Sequence, residues 1–163
     1  MAFVEAEYGR LDALINNAGI NYDTHQNIIN ADLDEVLNTF KTNTLAPIEM
    51  IQRFLPLLKN SDAPRIVNVS SGSGTLASQD GSTPGYSLSK IGMNAVTLAF
   101  ANQLKDTGIL VNSVCPGWVR TDMGGSNANR SPKEGAETIV WAAVLDDNSM
   151  TGKFFRDKQE ISW

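Results

Sequence analysis

Apolar residues recur along this chain in two rhythms. From Leu33 onward they fall at helical spacing, at Val36, Leu37, Phe40, Leu45, Ile48, Ile51, Phe54 and Leu55. That stripe predicts a helix from about Asp32 to Leu58. Asp32 followed by Glu35 is a variant of the capping box that opens helices. Pro47 interrupts the stripe. It has no N–H, so the carbonyl four residues back, on Asn43, loses its helical partner, and a kink is expected there.

Elsewhere the apolar residues run continuously. Leu11–Asn16, Arg65–Val69, Ile109–Cys115 and Gly152–Phe155 read as strands. The first of them lacks clean alternation, which suits a strand covered on both faces of a parallel sheet. Residues 2–8 read as the end of a helix stopped at Gly9, and residues 20–31 as a loop. A helix entered through Pro84 and Gly85 runs to about Leu104 and is stopped by Gly108. Residues 121–131 are polar and rich in glycine. Pro132 opens a last helix, to about Leu145. Strand alternating with helix implies an α/β layered domain spanning residues 1–163, with a parallel sheet. Such sheets gather their chemistry outside the carboxyl ends of the strands. Asn17, Ser71 and Pro116 fall at those ends.

Composition narrows the function. A chain of 163 residues, 42% hydrophobic and 19% charged, can bury a proper core. A net charge of −5 argues against a nucleic-acid surface. The one cysteine, Cys115, sits in an apolar run and reads as a buried, inert thiol with no internal disulfide. His25 is the sole histidine, so a zinc site is not expected. A serine hydrolase would rest on Ser71 with His25, and no acid is placed beside that histidine. No apolar run reaches membrane-spanning length and no signal peptide opens the sequence, so a cytoplasmic protein is expected.

Tyr86 and Lys90 lie four apart on the helix after Gly85 and so share a face. An ammonium beside a phenol favours the phenolate, which predicts a general acid/base with a lowered pKa. For an isolated pair, the plain alternative is one buried ring and one solvated stem. Three further motifs accompany this pair: Asn16-Asn17-Ala18-Gly19 after one strand, Ser71 after the next, and Pro116-Gly117 after the third.

In that order, at strand ends, the motifs resemble the short-chain dehydrogenase/reductase family. The segments Trp118–Met123 and Thr151–Phe155 are similar to its carbonyl-reductase-like members. The resemblance implies a Rossmann-like parallel sheet with flanking helices, about four strands of it in this chain. It implies hydride exchange between NAD or NADP and a small-molecule carbonyl or alcohol. Tyr86 would donate the proton. Lys90 would lower its pKa and hold the nicotinamide ribose, and Ser71 would bond the substrate oxygen. Asn43 would hold a water through the carbonyl that Pro47 frees. Backbone at Asn17, Ala18 and Gly19 would line the cofactor, along with Pro116, Gly117 and Val119, and Thr121 would take the carboxamide. Asn16 would tie strands together, and Ser70 would be a turn serine.

One departure stands out. Family members begin with a glycine-rich T-G-x-x-x-G-x-G turn, and no such turn precedes the first strand here. About 70–80 residues of βαβ structure would hold it. The expectation is a catalytic half that binds dinucleotide weakly by itself. The alternative is a catalytically silent module that associates with itself or a partner. A homo-oligomer is expected, through the edge of Leu11–Asn16 or through the long helices.

Overall fold

The computed structural model describes residues 1–163. Its elements follow the predicted alternation: α1 (Ala2–Tyr8), β1 (Ala13–Asn16), α2 (Leu33–Phe40), α3 (Ala46–Leu58), β2 (Arg65–Val69), α4 (Pro84–Leu104), β3 (Leu110–Val114), α5 (Pro132–Ala143), β4 (Phe154–Arg156) and β5 (Gln159–Glu160). The sheet runs β1-β2-β3-β4-β5. The first four strands are parallel, with Ile66 beside Leu14 and Val111, and β5 returns antiparallel to β4. The fold is the Rossmann-like α/β sandwich expected, with five strands in place of about four.

Two cores sandwich the sheet. On one face Leu14, Ile66 and Val111 pack against Ile51 and Leu58 of α3 and Ala101 and Leu104 of α4. On the other, Val67, Val114 and Phe155 pack under Ala142 of α5. Every residue of β2 and β3 is buried, which is why their apolar residues do not alternate with exposed ones and the polar ones, Arg65, Asn68, Asn112 and Ser113, are buried too. Each fully buried aliphatic side chain contributes roughly 1.5–3 kcal/mol. β1 departs from the expectation of cover on both faces: Leu14 and Asn16 are buried, but Ile15 is 41% exposed. It is the sheet's edge strand, and α1, which precedes it in the chain, has no buried residue.

Local chemistry explains the other differences. Asp32 caps α2 by accepting from the N–H groups of Asp34 and Glu35. The reciprocal half of the box is missing, because Glu35 is taken by the Gln26 amide and Gln26 Oε1 receives the Asp32 N–H. The kink expected at Pro47 is a π-helical turn over Lys41–Leu45. There the Ala46 N–H reaches back to Lys41, a wider ring of the kind found at functional positions. α4 stops at Leu104, a turn before Gly108, whose φ of 76° then redirects the chain into β3. Ser131 and Glu134 form a full capping box on α5, which sequence reading passed over.

Candidate active site

A cleft of about 960 Å³ opens at the carboxyl ends of β1, β2 and β3. Ser71, Tyr86 and Lys90 line it. So do Asn17, Ala18 and Gly19 on one side, and Pro116, Gly117, Val119 and Thr121 on another. Asn43 alone of the expected residues stands behind the wall, fully buried.

The wall is a chain of hydrogen bonds. Asn43 Nδ2 donates to Ile20 O at 2.8 Å, and its Oδ1 accepts the Ile20 N–H at 2.8 Å. The same amide reaches Ser89 Oγ at 3.0 Å, which in turn donates to Tyr86 O at 2.7 Å. Thr44 Oγ1 donates to Ser89 O at 2.8 Å. The π-helical turn thus turns Asn43 and Thr44 toward α4. Ser89 is the residue that sequence reasoning missed. Its only signal was a serine inside a helix, where it bonds its own preceding turn.

Lys90 Nζ donates to Val69 O at 2.8 Å and lies 5.6 Å from the Tyr86 ring centroid. Burial pushes this ammonium down from 10.5 to about 8. The Tyr86 phenol moves the other way from expectation. Burial raises it, and the facing Ser71 side chain only partly offsets that. The lysine sits over the ring and is itself disfavoured as a cation, so it does not overcome the loss of water. Ser71 Oγ and the phenol face each other without a hydrogen bond of normal geometry; instead Ser71 Oγ accepts the Ser73 N–H at 3.2 Å. Ser70 is buried, with its Oγ 3.4 Å from Lys90 O. Cys115 is a buried free thiol in the cleft wall.

Gly19 tests the room for a ligand. A Cβ there would lie 3.3 Å from Asn43 Oδ1 and 3.6 Å from Lys90 Nζ. Glycine keeps that floor open, and Lys90 retains donors beyond the one given to Val69. Asn16 Nδ2 donates to Asn68 Oδ1 at 2.8 Å, tying β1 to β2 as expected. The tie continues through Thr97 Oγ1 to Ser113 Oγ of β3.

The far wall is the segment after β3. The Trp118 indole donates to Gly124 O at 2.8 Å. Arg130 spans from Pro116 O to both carboxylate oxygens of Asp157, at 2.6 and 2.8 Å. Asp157 and Lys158 turn the β4–β5 hairpin with positive φ. No helix of the structure is long and apolar enough to cross a membrane.

Comparison with known proteins agrees with this architecture. The short chain dehydrogenase family model matches residues 1–132. The chain is 32% identical to bovine "Carbonyl reductase [NADPH] 1", covering 99% of itself and 73% of that protein. It is 37% identical to the short-chain dehydrogenase anuI of Penicillium roqueforti, covering 69% of it. Among solved structures, the carbonyl reductase Sniffer of D. melanogaster superposes with a TM-score of 0.89 at 31% identity, over 99% of this chain and 71% of that one. An NADPH-bound carbonyl reductase from chicken fatty liver also gives 0.89, at 28% identity, over 99% of this chain and 70% of that one. With the fold, the strand-end motifs and these relatives in agreement, the chain belongs to the short-chain dehydrogenase family and is an oxidoreductase of its carbonyl-reductase-like branch.

Proposed function

We propose that this protein reduces a small-molecule carbonyl with NADPH, Tyr86 giving the proton. The observation that carries the reading is the convergence of Ser71, Tyr86 and Lys90 on one cleft at the strand ends, with the phenol raised by burial. A raised phenol is protonated at neutral pH, the form a donor needs for reduction. Ser71 holds the substrate oxygen beside that hydroxyl. Lys90 binds ribose hydroxyls through the donors left free by Val69 and restores the proton to Tyr86. Asn43 and Ser89 fix the height of α4 against the segment after β1. When bound, the dihydronicotinamide supplies the hydride. Gly19 gives it a floor, and Thr121, with the backbone at Pro116, Gly117 and Val119, borders the carboxamide. The cofactor class follows the relatives' names.

Purified protein should consume NADPH in the presence of an aromatic ketone or quinone, followed at the nicotinamide absorbance. Tyr86→Phe should lose about 10²–10⁴-fold in kcat. Absence of turnover across a panel of carbonyls would overturn the reading. The cleft residues here serve the nicotinamide end, and this 163-residue chain is expected to bind dinucleotide weakly, which calorimetric titration with NADPH and NADH would measure.

The second reading, a silent self-associating module, draws on the open edge at Ile15 and the exposed Leu33 and Leu37 on α2. Association fits the enzyme reading equally, and sedimentation decides whether it occurs.

A further inference from the structure

The first turn of α4 is held from outside the helix. Thr83 occupies the cap position in left-handed geometry, φ 41° and ψ 58°, and its side chain makes no capping hydrogen bond. Pro84 has no N–H to offer. Gly85 therefore carries the first main-chain donor of α4, one residue before Tyr86. That N–H meets Asp23 Oδ2 at 2.5 Å, across 62 residues of chain.

Asp23 is fully buried, and its second oxygen, Oδ1, has no hydrogen-bond partner. A carboxylate in that state is costly unless something matches its charge. The positive end of a 21-residue helix supplies the match. There is no slack in the joint. A Cβ on Gly85 would lie 3.1 Å from Val36 Cα and 3.2 Å from Asp23 Oδ2. A cap supplied by Thr83 would satisfy Gly85 locally. A cap supplied by Asp23 ties α4 to the segment that continues from Asn17, Ala18 and Gly19, the adjoining wall of the cleft. Ser89 and Asn43 secure the same turn at Tyr86 O.

We propose that Asp23 is a positioning residue whose carboxylate docks the first turn of α4 and so sets where the Tyr86 hydroxyl stands in the cleft. The proposal rests on Tyr86 being the proton donor. It couples the cofactor-side wall to the donor: displacement of the segment around Asp23 displaces Tyr86 with it.

The test compares the wild-type chain with Asp23→Asn and Asp23→Ala by amide exchange and heteronuclear NMR, beside steady-state kinetics with NADPH and an aromatic ketone. In the wild type, the Gly85 amide should exchange slowly. In Asp23→Ala its protection should fall by about tenfold or more, with the Tyr86 ring resonances displaced. Turnover should then fall by about 10²-fold while KM stays within about threefold, the mark of a misplaced donor. Asp23→Asn keeps an acceptor and should recover most of both signals. A folded Asp23→Ala with unmoved Tyr86 resonances and unchanged kcat overturns the proposal, as does a fast-exchanging Gly85 amide in the wild type. If Asp23→Ala does not fold, Asp23→Asn and the wild-type exchange rate carry the same decision. A wild type without turnover counts against Tyr86 as donor, and the ring displacement still decides whether Asp23 is its anchor.

Discussion

The two walls of the cleft are built differently. On the α4 side, Asn43, Ser89 and Lys90 are buried, and each side chain makes a hydrogen bond to another element. On the side after β3, Trp118 is 54% and Met123 47% exposed, and the segment folds mainly on itself. Its long-range tie is Arg130, which clasps Pro116 O to Asp157 of the hairpin. The wall that carries the proposed proton donor is thus set by close packing, where a displacement meets hard contacts. The wall after β3 has one long-range polar clasp, and its change is expected to leave the other wall in place. Loops on a rigid frame are where specificity is commonly adjusted.

Lys90→Met tests the packed wall hardest. Turnover should fall by about 10²-fold or more, since proton return and ribose binding go together. Stability should move the opposite way. An ammonium lowered to about 8 is charged in folded and unfolded chains alike below that pH, and there its burial penalises the fold in full. Between about 8 and 10.5 the folded chain is neutral while the unfolded one is still charged, so the penalty fades as pH rises. Its ceiling is on the order of 3 kcal/mol. The lost bond to Val69 O reduces what the variant gains. Denaturant unfolding of both proteins from neutral pH upward should therefore show the variant's relative advantage shrinking across that window. A constant difference would mean that Lys90 does not titrate there.

A pair of glycines offers the next test. A Cβ on Gly74 would lie 2.9 Å from Lys90 O and 3.0 Å from Asn94 Nδ2, whereas one on Gly72 meets nothing within 4 Å. Gly74→Ala should cost about 1–3 kcal/mol, and Gly72→Ala should stay within about 0.5 kcal/mol. Equal midpoints in urea would show the packed wall to be softer than its contacts indicate.

Arg130→Ala probes the other wall and should have a smaller effect on stability than Lys90→Met or Gly74→Ala. Asp157 is largely exposed, so the ion pair contributes at most about 1 kcal/mol. The expected change is local. Proteolysis between residues 117 and 131 should quicken, and KM for the carbonyl substrate should rise about fivefold with kcat nearly kept. A fall in kcat with unchanged cleavage would mean that the clasp acts on the proton donor and the two walls are not independent.

Much of this was open to sequence reading. Arg65–Val69 was legible as an apolar run bounded by turn residues, because turn chemistry is local, and the parallel sheet followed from the alternation of strand with helix. The hairpin strand β5 escaped notice. Its turn is Asp157-Lys158, both with positive φ, in place of the Asn-Gly pair that usually marks such a turn. The pKa of Tyr86 was misread for a different reason. Spacing puts an ammonium on the same face as the ring, but it does not reveal how dry the place is, and burial raises the phenol more than Ser71 lowers it.

By itself the sequence determined what most segments would become and which residues would stand at strand ends, since periodicity, proline and glycine act within a few residues of themselves. Only the tertiary structure decided that the Asn43 side chain bonds Ile20 and Ser89, that Ser89 in turn reaches Tyr86 O, and that Asp23 caps a helix 62 residues away. Those contacts depend on how α2, the π-helical turn and α4 pack. A buried polar group takes whichever partner packing brings within reach, because leaving it bare costs more than the distance along the chain can forbid.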